Sequence, residues 1–189
     1  GLTPGQRAVM EEAIAALEQQ GAVVVDPADI PSVIDPDREK NFLAWNICSG
    51  LESGRGRDRN CSVSFKYGMK RDFNAWLATL GEAAPVKTIT ELRRWNLDHH
   101  SAGTLKYGQQ NLDISDEIDL ERDRHRYDTD RQRDVFLGGA HGIDEALQAH
   151  QLDALLFPGS TGAALGARSG YPTVIVPFAL VPNAPTPPF

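Results

Sequence analysis

A short run of small polar residues near the C-terminus holds the best candidates for a ligand site. Residues 152–157 are mainly apolar, and Pro158, Gly159, Ser160 and Thr161 follow them directly. Hydroxyl groups can hydrogen-bond a substrate, and glycine lets a substrate approach the backbone closely. Ser160 is not expected to be a nucleophile, because Pro158 occupies the place where the Gly-x-Ser-x-Gly turn of hydrolases needs glycine. We expect Gly159, Ser160 and Thr161 to line a substrate pocket. The alternative is that they form only a tight connecting turn, which would need the same glycine.

The histidines and cysteines do not form a metal-site pattern. The five histidines are His99, His100, His125, His141 and His150. No pair of them makes the helical motif of two histidines with an intervening glutamate. Cys48 and Cys61 are too few for a cysteine zinc cluster or a disulfide scaffold. No dinucleotide fingerprint or phosphate-loop lysine is present either, so we expect neither a metal nor a cofactor.

A glycine- and arginine-rich stretch over residues 49–62 interrupts the helical patterns around it. Arg55, Arg57 and Arg59 could bind an anion there. A solvated loop is the interpretation we favour, because no aromatic or motif residue accompanies the arginines.

The elements that would position these residues alternate between helices and short apolar runs. A capping box of Thr3 and Gln6 predicts a first helix, and an apolar run at 22–26 predicts a buried strand. A second capping box, of Thr88 or the nearby Thr90 with Glu91, predicts a short amphipathic helix further along the chain. Residues 35–150 are expected to be mainly helical. The mixed charges of residues 115–137 are interpreted as a solvated helix face, and four aromatic side chains are expected in the core: Trp45, Phe73, Trp76 and Trp95.

Two further apolar runs, within residues 152–177, flank the small polar stretch. They are continuous rather than alternating, which is typical of parallel strands covered on both faces. The predicted fold class is α/β, with a mixed, mostly parallel sheet covered by helices. Loops at the C-terminal ends of such strands are where α/β proteins bind ligands, which supports the substrate-pocket interpretation of residues 159–161.

Composition excludes several classes of function. The chain has 189 residues and a net charge of −7, whereas a nucleic-acid-binding domain is usually basic. No apolar run is long enough to span a membrane, and no signal-peptide pattern begins the chain. We therefore expect a cytoplasmic protein that binds neither nucleic acid nor membrane.

Four features stand in a fixed order near the C-terminus: an Asp-Ala pair, a proline followed by small polar residues, a Gly-x-Pro and a Val-x-Val-Pro. In this chain they are Asp153–Ala154, Pro158–Thr161, Gly170–Pro172 and Val174–Pro177. Together they resemble the C-terminal half of amidase-signature enzymes. Residues 21–31, 65–80 and 104–119 are similar to upstream segments of that family, so the resemblance covers nearly the whole chain.

The resemblance implies amide hydrolysis by a serine nucleophile. In that family the nucleophile is activated by a second serine, which lies in a cis peptide, and by a lysine. The glycine- and serine-rich signature that supplies those serines is absent here. The family places its lysine at the end of a strand, and none of the lysines in this chain lies in such a context. They are Lys40, Lys66, Lys70, Lys87 and Lys106. The resemblance thus implies that residues 1–189 are a C-terminal fragment of a single amidase-signature domain, without a catalytic residue.

Two functions remain open from the sequence. The first is an amidase-type hydrolase that acts on a small-molecule amide and keeps its catalytic residues outside this chain. The second is a non-catalytic binding or structural domain with the same fold. In either case an incomplete sheet would leave an unpaired edge, so we expect self-association or a homo-oligomer.

Overall fold

The computed structural model describes residues 2–51 and 60–181, and helices dominate it. Three short 3₁₀ turns, at Phe42–Ala44, Gly81–Ala83 and His100–Ala102, accompany the longer helices. The α-helices, in chain order, are α1 (Pro4–Gln19), α2 (Pro31–Ile34), α3 (Ser64–Thr79), α4 (Ile89–Asp98), α5 (Gln110–Asp116), α6 (Arg124–Val135), α7 (Asp144–His150) and α8 (Ala163–Ser169). A π-helix at Phe136–Ile143 joins α6 to α7 without a break.

Local sequence signals explain where several helices begin. The capping box predicted for α1 is present: Gln6 N–H donates to the Thr3 hydroxyl, and Thr3 N–H donates to the Gln6 side chain. The Thr88 hydroxyl caps α4 in the same way, by accepting from Glu91 N–H at 3.1 Å. These starts are confirmed because short side chains satisfy helix N–H groups without help from the rest of the fold.

The glycines of the π-helix allow its neighbours to pack closely. A Cβ at Gly142 would lie 2.6 Å from the Leu137 carbonyl oxygen, and one at Gly138 would lie 3.1 Å from the Leu165 carbonyl oxygen. Any larger residue would push α8 away or open the wide turn. The helix does not break at these glycines, because the chain continues through them as a π-helix.

The core lies around this wide turn. One buried cluster consists of Phe42, Trp45, Leu137, Ile143 and Leu165. A second, smaller cluster is formed by Cys48, Cys61 and Val63, against which Tyr127 packs. Of the four aromatic residues expected in the core, Trp45 is buried and Phe73 is partly buried. Trp76 is 52% exposed and Trp95 47% exposed, so neither of these two lies in the core. On α3 the buried position is occupied by Leu77, and the neighbouring Trp76 lies on the exposed side of the helix.

The predicted α/β fold with a mixed, mostly parallel sheet is wrong for this structure. Its sheet within the described residues is one parallel pair, β1 (Asn46–Ile47) with β2 (Cys61–Ser62). The apolar runs at 22–26 and within 152–177 form no strand. A strand needs a neighbour for its backbone, and the described residues offer these runs none. The two core strands expected within 152–177 are therefore absent.

The described part of the chain contains no helix that is long and apolar enough to cross a membrane. Arg55, Arg57 and Arg59 lie outside the described residues, so the anion-binding interpretation of that stretch stays untested.

A disulfide joins the ends of the glycine- and arginine-rich stretch. Cys48 and Cys61 are bonded, and both are almost fully buried. Arg126 donates to the Cys61 carbonyl oxygen at 3.0 Å. The bond and the β1–β2 pair together bring the two ends of the stretch into fixed register. The two cysteines were not predicted to pair, because their proximity depends on this packing between distant parts of the chain.

We expect the Cys48→Ala/Cys61→Ala double variant to lose about 3 kcal/mol of unfolding free energy, since the bond closes a loop with a sequence separation of 13. Urea unfolding of the oxidised protein measures the loss. A reductant should lower the stability of the wild-type chain towards that of the variant and leave the variant unchanged. A double variant as stable as the oxidised wild type would contradict the assignment.

Candidate functional site

The small polar residues singled out from the sequence form an exposed turn ahead of α8. Gly159 adopts a left-handed backbone conformation with φ of 59°, which favours glycine. The Thr161 hydroxyl donates to the Pro158 carbonyl oxygen at 3.0 Å. Ala163 N–H donates to the Ser160 carbonyl oxygen, also at 3.0 Å. The side chains of Ser160 and Thr161 face solvent, where a ligand could reach them.

Packing against Phe157 fixes the end of this turn. A Cβ at Gly162 would lie 2.4 Å from the Phe157 ring, so only glycine fits there. Phe157 in turn packs on the main buried cluster. The need for glycine at positions 159 and 162 therefore has a structural reason, as the connecting-turn interpretation requires. The positional argument for a pocket also weakens, because the turn does not leave the end of a strand.

Ser160 has no hydrogen-bonded base within the described residues. A serine hydroxyl needs such a base to attack an amide. The arrangement is compatible with a Ser160 that contacts a substrate and with a Ser160 that has no functional role. It does not support a nucleophilic role. The pocket assignment of Gly159, Ser160 and Thr161 stays a prediction.

The turn is carried on α8, and Arg168 anchors that helix to the core. The guanidinium donates through Nε to an Asp134 carboxylate oxygen at 3.1 Å, and through a second nitrogen to the same oxygen. It also donates to the Trp45 carbonyl oxygen and lies 4.5 Å from the centre of the Phe42 ring. After Ser169, Gly170 takes a left-handed conformation with φ of 89°, which ends the helix.

Asp134 is the acceptor around which these contacts are arranged. Its side chain is 1% exposed. Besides Arg168, it accepts from the Trp45 indole Nε1 at 2.9 Å and from the Ser62 hydroxyl at 2.7 Å. One carboxylate thus connects α6, α8, β2 and the 3₁₀ turn beside Trp45. A buried carboxylate is stable only when its charge and its lone pairs are satisfied in this way.

A second buried carboxylate, Asp130, lies one turn earlier on α6. It accepts from Val63 N–H at 2.9 Å and pairs with Arg126. Burial raises the pKa of Asp130, and the Val63 and Arg126 contacts offset only part of that effect. The prediction that the charges of this helix form a solvated face is wrong for Asp130 and Asp134. Their spacing from Tyr127, at three and seven residues, would have revealed a buried helix face.

Two serines and a lysine, the residue types that an amidase uses, lie close together in sequence at Ser62, Ser64 and Lys66. The structure does not arrange them as a catalytic site. The Ser64 N–H donates to the Ser62 hydroxyl, which itself donates to Asp134. Lys66 is completely buried, where it forms an ion pair with Glu117 and donates to a carbonyl oxygen. Ser62 is also completely buried, so a substrate cannot reach it in this arrangement.

No group of three or more histidine, cysteine, aspartate or glutamate side chains among the described residues could hold a metal ion. Comparisons with protein-family models, curated proteins and solved structures found no match to the chain. The resemblance to amidases therefore rests on the sequence motifs.

We expect Asp134→Asn to lower the free energy of unfolding by about 3–5 kcal/mol, because it leaves the Arg168 charge buried without a partner. Asp128→Asn is the matched control on the same helix. Its side chain is 53% exposed and pairs with Arg124 at 3.6 Å, so its loss should be about 0–1 kcal/mol. Equal effects of the two substitutions in urea unfolding would contradict the structural role given to Asp134.

Proposed function

We propose that this chain is the C-terminal portion of an amidase-type hydrolase, which cleaves a carbon–nitrogen amide bond through a serine outside residues 1–189. The motif order near the C-terminus supports this assignment. The structural observation that carries it is the exposed apolar segment that follows α8.

That segment, residues 172–181, has no regular secondary structure and is strongly apolar. Its side chains are 86% exposed at Val174, 90% at Ile175, 73% at Val176 and 97% at Leu180. Within the described residues, its backbone makes no hydrogen bond. Apolar side chains exposed in a continuous run mark a contact surface, because water solvates them poorly. A second such run includes Val23, which is 87% exposed. These segments support a helical body that packs against further polypeptide.

In this proposal the chain contributes a substrate contact and not the reacting groups. The exposed turn at Gly159, Ser160 and Thr161 would contact a small-molecule amide in the assembled enzyme. No catalytic residue is assigned to residues 1–189, and the proposed chemistry needs no cofactor. Nucleic acid and membrane are not proposed as partners. A cytoplasmic location is also only a proposal, and the Cys48–Cys61 disulfide weighs against it because the cytosol keeps most thiols reduced.

One observation favours the alternative, a non-catalytic binding or structural domain. The buried acids on α6 and the buried Lys66–Glu117 pair all connect helices to one another, as in a purely structural scaffold. The apolar segment would then contact a second copy of the chain or another protein. Self-association is compatible with both functions.

A fluorophosphonate probe, which reacts covalently with activated serines, distinguishes these functions. We expect the polypeptide encoded by the whole reading frame to be labelled at a serine outside residues 1–189, and the 189-residue chain to stay unlabelled. In the whole polypeptide, Ser160→Ala should keep the labelling. It should change kcat for a simple amide, selected from a panel, by less than about tenfold while altering KM. Ser101→Ala, at another exposed serine, is the matched control and should change neither constant.

Labelling at Ser160 would overturn the placement of the nucleophile. A whole polypeptide that is neither labelled nor active on the amide panel would overturn the hydrolase proposal and favour the non-catalytic domain. A kcat loss of about 10⁴-fold in Ser160→Ala, as for removal of a nucleophile, would contradict the substrate-contact role.

A further inference from the structure

His141, on the π-helix, lies between two carboxylates from different parts of the chain. Its Nε2 is 2.9 Å from Asp35 Oδ2, and its Nδ1 is 2.8 Å from Glu145 Oε2. Asp35 lies directly after α2 and is 106 residues away in sequence. Glu145 lies one turn further along the same helical run. The Phe136 ring stacks on the imidazole with centroids 5.6 Å apart.

Both contacts can be hydrogen bonds only while the imidazole carries two protons. A neutral imidazole has one N–H, so one ring nitrogen would present a lone pair to a carboxylate. The positions of Asp35 and Glu145 therefore select the charged form of His141 on geometric grounds. Deprotonation must break or weaken one of the two contacts.

Asp35 is held in place on its other side. Its Oδ1 accepts from Asp37 N–H at 2.8 Å, and its carbonyl oxygen accepts from the Asn41 side chain, also at 2.8 Å. Its carboxylate is 16% exposed, compared with 50% for Glu145. The Asp35–His141 contact is thus the fixed tertiary link, whereas Glu145 can turn towards water.

The other charged groups of the neighbouring elements are directed elsewhere. The π-helix packs against α2, α6, α7 and α8. On α6 and α8, Asp134 pairs with Arg168, and Arg133 pairs with Glu39. On α7, the Asp144 carboxylate lies beside Gly139, and His150 lies at the far end of the helix. Lys40 acts on the Asp35 carboxylate. Among the described residues, the charged side chains in contact with His141 are the carboxylates of Asp35 and Glu145.

The tight fit of α2 makes this link important for local order. Ser32 on α2 is completely buried, and its hydroxyl would lie 3.2 Å from a Cβ at Gly142. Helix α2 has only four residues, Pro31–Ile34, so its own hydrogen bonds cannot keep it folded. Its position depends on packing against the π-helix, on the Asn41 side chain that donates to the Val33 and Asp35 carbonyl oxygens, and on the Asp35–His141 contact.

We propose that His141 is a pH-dependent latch that holds α2 against the π-helix when the imidazole is protonated and loosens it when the proton leaves. Burial lowers the pKa of His141, but the hydrogen bonds to Glu145 and Asp35 outweigh burial and raise it above 6.5. The backbone N–H of Asp37 and the His141 contact lower the pKa of Asp35 below 3.8.

A raised histidine pKa stabilises the folded state fully below pH 6.5, and this stabilisation is lost as the pH rises through the folded value. The lowered aspartate pKa adds stability above pH 3.8. The latch is therefore strongest between these two values and weakens as the pH rises through the folded-state pKa of His141.

Thermal unfolding of the 189-residue chain at pH 5.5 and pH 8.5 tests the latch, with wild type and His141→Gln compared at each pH. We expect His141→Gln to lower Tm by about 2–4 °C more at pH 5.5 than at pH 8.5. His125→Gln, at an exposed histidine on α6, is the matched control and should follow the wild type at both values. Glu145→Gln removes one of the two carboxylates and should reduce the pH dependence even if His141→Gln folds poorly.

Two further readouts make the outcome decisive. Imidazole proton NMR should place the pKa of His141 above 6.5, and amide protection factors of residues 31–35 should fall as the pH rises through it. The latch is disproved by a pKa at or below 6.5, by protection of 31–35 that does not change with pH, or by parallel pH profiles of the wild type and both His141 and Glu145 variants.

Discussion

The buried carboxylate of Asp134 is the constraint on which the described fold depends. It sits where α6, α8, β2 and the Trp45 turn meet, and each of these elements donates to it or carries it. Removing such a charge from water is costly, so the carboxylate is stable only if Arg168, Trp45 and Ser62 all reach it together. The network thus favours one arrangement of short helices that have few apolar contacts of their own.

This constraint separates a rigid part of the chain from an exposed part. Arg168 fixes the C-terminal end of α8, while the turn at Gly159–Thr161 lies open at the other end. The apolar segment 172–181 follows Gly170 and exposes most of its side chains to solvent. The proposed function uses both exposed features, the turn as a substrate contact and the segment as a surface that packs against further polypeptide. That function remains a proposal, and the Ser62–Ser64–Lys66 arrangement shows that amidase residue types alone do not make a site.

Local signals predicted part of this structure. The helix starts at Thr3 and Thr88 were predicted because a cap is decided within four residues. The predicted sheet was wrong. A continuous apolar run indicates how buried a strand would be, but it does not show whether a neighbouring strand is present. The disulfide, the Asp134 network and the His141 cluster join residues 13 to 106 positions apart, and no local pattern specifies such contacts. Residues 159–161 form a turn, but not one that follows a strand, and their role as a pocket stays a prediction.

A double-mutant cycle between Asp134 and Arg168 tests most directly whether the carboxylate organises the fold. The free energies of unfolding of Asp134→Asn, Arg168→Met and the double variant are compared with that of the wild type by urea denaturation. If the two side chains depend on each other, the double variant loses much less stability than the sum of the single losses, with a coupling energy of about 1.5–3 kcal/mol. Losses that add to within about 0.5 kcal/mol would show that each side chain acts independently and would contradict the central role of Asp134.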